Sequence, residues 1–357
     1  MRGVKIIAVL LVACLCFCGC SARKNLKDLS VAEGLGIDNA EQGKRVTVQT
    51  LNLAKAGNGT DALSGNVTLN TAGTGQNISS AAAAAAESLS KDLFFGQNKL
   101  LVFGMDVAVN DLATCFDYLM RSENSRPDVP VCISSGTAAQ LLDCGQNDAL
   151  VPAQAVAELL KNGQNSGFSL YVTVNEMLNL YKDKTSDICL PVITAGDESS
   201  KTSGIAIFSE SRLAGVLSGY ETVGLLFLKD KVKSGYMELE SEKYGNIGVH
   251  IIGASTKTKA FAQGETVHFK VGVKLFFSID EIDAELAEIG KEVESAVRRN
   301  CEKAFYACTK SRSDCLRVGE NLAKYDPAAY EKMSDDWEKY LKNAVLDFDC
   351  SGRLKKM

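Results

Sequence analysis

The sequence predicts an α+β protein with more than one domain, in which mixed β-sheets pack against helices. The chain has 357 residues, enough for two or three domains, and 46% of them are hydrophobic. Helix-like and strand-like segments interleave over residues 29–195, which predicts an α/β-type N-terminal domain. Strand-like alternation then dominates residues 236–279, and a long helical pattern follows it. The C-terminal part is therefore predicted to be β-rich and then helical.

The first 19 residues have the composition of a signal peptide. Arg2 and Lys5 precede an apolar run over residues 6–19, and polar residues return at Ser21. The run is shorter than the roughly 20 apolar residues that a membrane-spanning helix needs. We predict that residues 1–19 are cleaved and that residues 20–28 form a tether. No later stretch approaches the length of about 18 apolar residues that indicates a membrane span.

Four cysteines occupy alternate positions in the stretch CLCFCGC. Zinc and thioredoxin-like sites favour C-x-x-C spacing, so we interpret Cys14, Cys16 and Cys18 as small apolar residues of the signal peptide. The fourth, Cys20, follows Gly19 in a pattern that resembles a bacterial lipobox. In that motif the sulfur receives a diacylglyceryl group, and the new N-terminus is acylated with a chain such as palmitate. We predict Cys20 as the lipid anchor; an ordinary secretory signal is the alternative.

The charge balance excludes some classes of partner. Removing residues 1–19 leaves 37 basic and 44 acidic residues, a net charge of −7. An acidic chain without a basic cluster is unsuited to nucleic acid and to electrostatic docking on anionic lipid. Membrane affinity is therefore expected to come from the lipid chains, because each buried methylene contributes about 0.8 kcal/mol.

Eight cysteines follow Cys20, most of them in apolar patterns. We predict them as small buried hydrophobes, and disulfide pairing stays open because eight cysteines allow 105 connectivities. They are Cys115, Cys132, Cys144, Cys189, Cys301, Cys308, Cys315 and Cys350.

Residues 29–198 form the predicted N-terminal domain. Residues 44–53 alternate Val46, Val48 and Thr50 with polar residues, which predicts a half-buried strand. Glycine, asparagine and threonine are abundant over residues 55–77, which predicts a loop or a weak hairpin. An alanine-rich helix with serine at the N-cap is predicted over 79–95. A buried strand is predicted at 98–104, further strands at 129–134 and 188–194, and further helices at 111–121, 136–144, 152–162 and 173–183.

Two of these helices have clear N-terminal signals. Pro152 stands at the favoured first position of one helix. Thr173 and Glu176 have the spacing of a capping box at the start of the other.

Residues 203–357 form the predicted C-terminal region, and a split into subdomains at about 203–235 and 236–357 stays open. The polar segment 196–203 indicates the boundary, and a hairpin is predicted around residues 209–212. Residues 220–235 are interpreted as a helix or a mixed segment. A helix around 330–343 and a strand at 344–350 complete the region.

The long helix that begins near residue 280 has one apolar stripe at helical spacing. The stripe consists of Ile282, Leu286, Ile289, Val293, Val297, Cys301, Phe305, Cys308 and Cys315. Its three cysteines are seven residues apart, too wide a spacing for one metal ion, and we predict that they face the core.

The sequence offers no pattern that points to catalysis, a cofactor or a metal. His250 and His268 belong to no H-x-x-x-H motif, and the serine of GVLSG is misplaced for a nucleophile elbow. Acidic pairs such as Asp335 and Asp336 are interpreted as solvated helix faces. We therefore predict a non-enzymatic protein, although distant carboxylates can combine into a site that sequence spacing does not show.

The ordered segments resemble the Ger(x)C family, the lipoprotein C-subunits of spore germinant receptors. The similarity begins at the lipobox and continues through LSVAEGLGID, VTVQTLNL and NKLLVFG to the central ETVGLLFL. It ends with the aspartate-led turn SDCLRVGE, the tryptophan helix around Trp337 and the closing strand. Tyr330 stands where the family often has tryptophan.

The resemblance implies a subunit anchored through Cys20 to the outer face of the spore's inner membrane. It implies two integral-membrane partners, an A-type subunit and a transporter-like B-type subunit, which together sense small nutrients and trigger release of ions and dipicolinate. Several mixed α/β domains are expected, with no cofactor and no catalytic residues; only Cys20 carries over as a defined functional position.

A lipid-anchored solute-binding protein of a transporter is the alternative from another class, and a lipoprotein hydrolase is a more distant one. Solute-binding proteins usually have two similar lobes around a cleft, whereas the two halves of this chain have different patterns.

Overall fold

The computed structural model describes Gly3 and residues 28–355, except for 53–66, 123–125, 145–149, 184, 198, 242–244 and 280–285. The predicted signal peptide and the anchor Cys20 lie outside the described residues, as does Ile282 of the predicted stripe.

The strands form two sheets within the described residues. The first sheet contains β1 (Leu29–Asn39), β2 (Lys44–Leu51), β3 (Thr68–Gly75), β4 (Asp92–Phe94), β5 (Leu100–Phe103), β6 (Val131–Ser134), β7 (Cys189–Thr194), β8 (Lys201–Ser209) and β9 (Arg212–Leu217). The second contains β10 (Gly235–Ser241), β11 (Gly245–Gln263), β12 (Thr266–Ile279) and β13 (Val345–Leu354).

The first sheet has a parallel centre and antiparallel flanks. Its strand order is β3-β2-β1-β5-β6-β7-β8-β9, with β4 beside β1. Strands β1, β5, β6 and β7 are parallel to one another, whereas β2 and β3 on one side and β8 and β9 on the other pair antiparallel. The second sheet follows chain order, and its last pair, β12 and β13, is parallel. Parallel pairs need crossover connections, which the helices provide.

The helices cover both faces of the first sheet and pack against the second. They are α1 (Ile78–Glu87), α2 (Met105–Asn110), α3 (Leu112–Arg121), α4 (Ala138–Asp143), α5 (Pro152–Asn165), α6 (Val174–Lys182), α7 (Tyr220–Leu228), α8 (Leu286–Lys310), α9 (Val318–Tyr325), α10 (Pro327–Met333) and α11 (Trp337–Lys342). Helices α4 and α5 pack on one face of the first sheet in a cluster with Val102 and Cys132. The other face shares a continuous apolar core with the second sheet, from Ala32 to Phe348.

The predicted α+β class is confirmed, with an α/β-type N-terminal part and a C-terminal part that is β-rich and then helical. The hairpin predicted around residues 209–212 is formed by β8 and β9. Because β8 pairs with β7, the first sheet continues across residues 196–203.

Three local predictions in the N-terminal part are wrong. Strand β2 is buried on both faces rather than half-buried, because α4 and α5 cover its polar side: Gln49 donates to the Leu142 carbonyl at 2.5 Å and accepts from the Ala153 N–H at 2.9 Å. Helix α1 is capped by Asn77 rather than by a serine, and Ser80 completes its capping box.

The helix predicted over residues 79–95 also ends early. Helix α1 stops at Glu87, and Asp92–Phe94 form strand β4 beside β1. The alanine run propagates a helix well, but the residues after it find hydrogen-bond partners on a strand, so tertiary pairing overrides the local pattern.

The apolar stripe of the long helix is confirmed from Ile289 to Cys308. Its last predicted member, Cys315, is buried but lies beyond the helix, which ends at Lys310 before the left-handed Arg312. Its members from Ile289 to Cys308 are fully buried: Ile289, Val293, Val297, Cys301, Phe305 and Cys308. Of the eight cysteines predicted as buried hydrophobes, seven are buried and Cys350 is partly exposed; none of the eight forms a disulfide.

Helices α7 and α8 make a close backbone contact at Gly224. A Cβ atom at this position would collide with the backbone carbonyl of Asn300 on α8. The glycine of the ETVGLLFL segment thus permits the two helices to approach, because it carries no side chain.

Candidate functional site

The turn between α8 and α9, residues 311–317, lies where the C-terminal helices meet the first sheet; we call it the junction turn. Its backbone has left-handed conformations at Arg312 (φ 56°) and Arg317 (φ 62°). The Ser313 N–H donates to the Cys308 carbonyl at 2.9 Å, which folds the turn back against the end of α8.

Asp314 is the central residue of the junction turn. Its carboxylate accepts hydrogen bonds from the Val318 and Gly319 N–H groups, both at 2.7 Å, and from Trp337 Nε1 at 3.1 Å. The first two bonds satisfy N–H groups in the first turn of α9, which have no partner within the helix. The third connects α11 to the same carboxylate, so that one buried side chain fixes two helices.

Asp187, just before β7, links the first sheet to the junction turn. The Asp314 N–H donates to Asp187 Oδ2 at 2.7 Å, and the Asp187 N–H donates to the Asp314 carbonyl at 3.2 Å. The Glu210 N–H, in the β8–β9 hairpin, donates to the other oxygen of Asp187 at 3.1 Å. Two aspartates thus connect the hairpin and strand β7 to the C-terminal helices.

Burial shifts the titration of both aspartates. Removal from water raises the pKa of Asp314 to about 7; its hydrogen bonds oppose this, and the nearby charge of Asp187 adds to it. Burial also raises the pKa of Asp187, against hydrogen bonds from the Asp314 and Glu210 N–H groups. The charge of Asp187 thus adds to burial in favouring the protonated form of Asp314.

Gly319 leaves room for this arrangement. A Cβ atom there would lie 3.0 Å from Asp314 Oδ2, 3.0 Å from the Thr185 carbonyl and 3.2 Å from the Trp337 ring. The glycine of SDCLRVGE therefore allows α9, α11 and the segment before β7 to converge.

A cleft of about 610 Å³ opens beside the junction turn, between α6 and α9, with the end of α7 at its base. Its charged lining consists of four acidic and four basic residues: Glu176, Asp183, Asp230, Glu320, Lys229, Lys231, Arg317 and Lys324. Such a balanced lining does not favour one sign of ligand charge.

Lys229 connects the cleft to the junction turn. Its ammonium donates to the Cys315 carbonyl at 2.5 Å. Burial lowers the pKa of this lysine, but the neighbouring Cys189 and Cys315 thiols outweigh it, so that the net direction is upward. The ammonium therefore stays charged next to these thiols.

The other predicted positions lie apart from the junction. His268 Nδ1 is 3.1 Å from Asp347 Oδ2, and its ring stacks on Phe261 on the second sheet. Asp335 and Asp336 are exposed, as predicted. Among the described residues, no group of three or more metal-ligating side chains is arranged to hold a metal ion, and no helix is long and apolar enough to cross a membrane.

The described residues form a two-part α+β protein. One part is built on a nine-stranded mixed sheet, and the other on a four-stranded sheet with closing helices. The two parts meet at the pair Asp187 and Asp314. Two sequence families match consecutive stretches of the chain. The "spore germination protein N-terminal domain" matches residues 22–195, and "spore germination B3/GerAC like, C-terminal" matches residues 203–357. The chain belongs to the Ger(x)C family of spore germination proteins.

Individual relatives agree with this assignment. The chain is 21% identical to spore germination protein KC of Bacillus subtilis (strain 168) over 396 aligned positions, which cover 100% of this chain and 96% of that protein. It is 23% identical to YfkR of the same strain, which is also named for spore germination, over 62% of this chain and 60% of YfkR. The crystal structure of the GerBC protein is similar in fold, with a TM-score of 0.60, 16% identity, and coverage of 93% of this chain and 100% of that one.

The sequence analysis singled out some residues of the junction but did not predict that they meet in the fold. SDCLRVGE and Trp337 are among the segments that resemble the family, and the structure brings Asp314, Gly319 and Trp337 of these segments together. Asp187 and Lys229 were missed, because their partners are 127 and 86 residues away in the chain. The polar run before β7, residues 182–187, gave no signal that would single out Asp187.

Proposed function

We propose that this chain is the lipoprotein C-subunit of a spore germinant receptor. It acts with an A-type and a transporter-like B-type membrane subunit, and Cys20 anchors it to the outer face of the spore's inner membrane. The observation that carries the proposal is the match of both family regions, in order, over nearly all of the chain after Cys20.

The architecture supports a role in assembly rather than in chemistry. The sequence has no catalytic motif, and the junction uses its buried carboxylates to accept backbone and indole N–H groups. Hydrogen bonds of this number from one buried side chain stabilise a shape. The protein would hold a rigid surface next to its membrane partners.

The first experiment compares spores that carry Cys20→Ala with spores that carry Cys18→Ala, in a strain from which the native gene is deleted. Cys18 lies two residues away in the predicted signal peptide and serves as the matched control. We expect Cys20→Ala to release the protein from the membrane fraction and to abolish dipicolinate release to the nutrients that the deletion affects. Cys18→Ala should restore both. Membrane retention and normal germination of the Cys20→Ala spores would contradict the anchor.

A clean deletion tests the role independently of the anchor. Its spores are exposed to a panel of single nutrients, and dipicolinate release is followed for each. Loss of response to some nutrients, restored by the wild-type gene, is expected. An unchanged response to every nutrient would count against the receptor role.

The cleft beside the junction turn is the one observation that favours the solute-binding alternative. Its volume of about 610 Å³ is in the range of small-molecule sites. The two sheets are, however, unlike each other, since one has nine strands and the other has four. Tight binding of one metabolite to the purified chain, measured by calorimetry, together with normal germination of the deletion strain, would support the alternative.

A further inference from the structure

Three cysteine thiols meet at the junction turn. Cys308 lies in the last turn of α8, Cys315 in the junction turn and Cys189 at the start of β7. All three are buried, with at most 2% of their surface exposed. Cys308 Sγ and Cys315 Sγ are 3.5 Å apart, and the Cys189 thiol lies close enough to Cys315 to influence its pKa. The fold thus brings together three cysteines that are far apart or seven residues apart in the chain.

The backbone holds Cys308 and Cys315 in position for a covalent bond. The Ser313 N–H bond to the Cys308 carbonyl keeps the turn against the helix end, two residues before Cys315. A disulfide needs its sulfur atoms about 2.05 Å apart. Closing the present 3.5 Å separation requires a shift of about 1.5 Å, which rotation of the two side chains and a small movement of the turn can supply.

The position of Lys229 is unfavourable for a metal ion bound to the three thiols. Its ammonium is bonded to the Cys315 carbonyl at 2.5 Å and lies beside the Cys189 thiol. A fixed positive charge repels a metal cation, whereas it stabilises the thiolate that forms during thiol–disulfide exchange. The lysine therefore opposes the rise in the pKa of the Cys189 and Cys315 thiols but does not outweigh its causes, burial and the neighbouring thiols.

We propose that Cys308 and Cys315 are an oxidisable pair that a small-molecule disulfide closes into an intramolecular disulfide. The thiolate of Cys315 attacks one sulfur of the reagent, whose S–S bond breaks and releases one thiolate. The thiolate of Cys308 then attacks Cys315 Sγ and displaces the second thiolate. The two cysteine thiols are oxidised, the reagent is reduced to two thiols, and the two cysteine protons are taken up by the released thiolates.

The bond forms most readily while the chain folds. In the folded protein the thiols are buried, and burial disfavours the reactive thiolate. In the unfolded chain the same thiols are open to solvent and reagent. The inference does not depend on the proposed receptor role, because it rests on the geometry of the cluster alone.

Closure would fix the turn that carries Asp314. Cys308 and Cys315 flank the left-handed Arg312 and the buried Asp314, so that a bond between them ties the turn to α8. We expect the oxidised protein to have a higher Tm than the reduced protein, because the unfolded chain loses freedom.

The test uses the full chain in detergent, unfolded and then refolded in a buffer with either oxidised or reduced glutathione. Trypsin places the three cysteines on separate peptides, residues 185–201, 304–310 and 313–317, so that mass spectrometry identifies each pairing. We expect peptides 304–310 and 313–317 to be linked after oxidation, with a mass two hydrogens below their sum, and unlinked after reduction. The matched control is Cys301→Ser, a buried cysteine of the same helix stripe outside the cluster, which should leave the link unchanged.

Two further variants separate the proposal from misfolding. Cys189→Ser should retain the link, and Cys308→Ser should lose it while keeping the circular dichroism spectrum of the wild type. Peptides that stay unlinked in correctly refolded wild type, or a link of 313–317 to 185–201 in its place, would overturn the proposed pair.

Discussion

The centre of the first sheet and the junction turn are stabilised in opposite ways. At the centre, strand β5 is buried along its whole length, and its side chains share many apolar neighbours on both faces. At the junction, a single carboxylate of Asp314 satisfies three N–H donors from two helices. In the apolar centre the stabilising contacts are spread over many side chains, so the loss of one methyl group lowers stability only slightly. At the junction the stability depends on the hydrogen bonds of individual atoms.

The largest effect should come from removing that carboxylate. Asp314→Ala leaves three N–H groups without a partner in a buried site, and we expect it to lower the free energy of unfolding by about 4 kcal/mol. Urea titration followed by tryptophan fluorescence measures the loss. The control is Asp335→Ala, an exposed aspartate, which should change stability by less than about 0.5 kcal/mol. Equal stability of the two variants would remove the distinction between the regions.

A slightly smaller effect is expected where two helix backbones touch. Gly224→Ala forces α7 away from the Asn300 carbonyl of α8, and we expect a cost of about 3 kcal/mol. Gly290→Ala on α8 is the matched control, because a Cβ atom there meets nothing within 4 Å. Alanine has the higher helix propensity, so this control should be neutral or stabilising by up to about 1 kcal/mol. A Tm that falls equally in both variants would contradict the close contact.

The pH dependence of stability distinguishes the junction from the apolar core. The pKa of Asp314 is raised to about 7 in the folded protein, against about 3.9 for an ordinary aspartate. Between these values the folded state keeps a proton that the unfolded state has released, so stability falls as the pH rises. From pH 5 to pH 7 we expect Asp314 to contribute a decrease of about 2 kcal/mol.

The contribution of Asp314 is isolated by comparison with Asp314→Asn, since burial also raises the pKa of Asp38 and Glu33. Urea titrations of both proteins at pH 5, 6 and 7 give the two slopes. The slope of the variant should be shallower than that of the wild type, and parallel slopes would show that Asp314 does not titrate in this range.

The smallest effect is expected at the centre of the first sheet. Ile133→Val on β6 removes one methylene from a fully buried site and should cost about 1 kcal/mol. Thermal unfolding provides the measurement. A loss as large as that of Asp314→Ala would mean that the two regions do not differ in the proposed way.

Local sequence patterns predicted most helices and strands, because residues close together in the chain determine where these elements begin and end. The capping box of Thr173 and Glu176, Pro152 at the first position of α5 and the buried stripe of α8 are all observed. The errors occur where contacts with residues distant in the chain determine burial. The sequence pattern predicted Gln49 on a solvated face, whereas Leu142 and Ala153 cover it in the structure. The junction could not be predicted from the sequence for the same reason, because its hydrogen bonds join Asp187 to Asp314 across 127 residues.

The pairing of β7 with β8 has a consequence for how the gene can be divided. The two sequence families meet near residue 200, yet the hydrogen bonds of the first sheet cross that point. A fragment that ends there would expose the edge of β7, with buried Leu190 and Val192 nearby, to any other strand. Such a half would tend to aggregate, and the β8–β9 hairpin would be left without a neighbour. The two regions therefore have to be expressed as one piece.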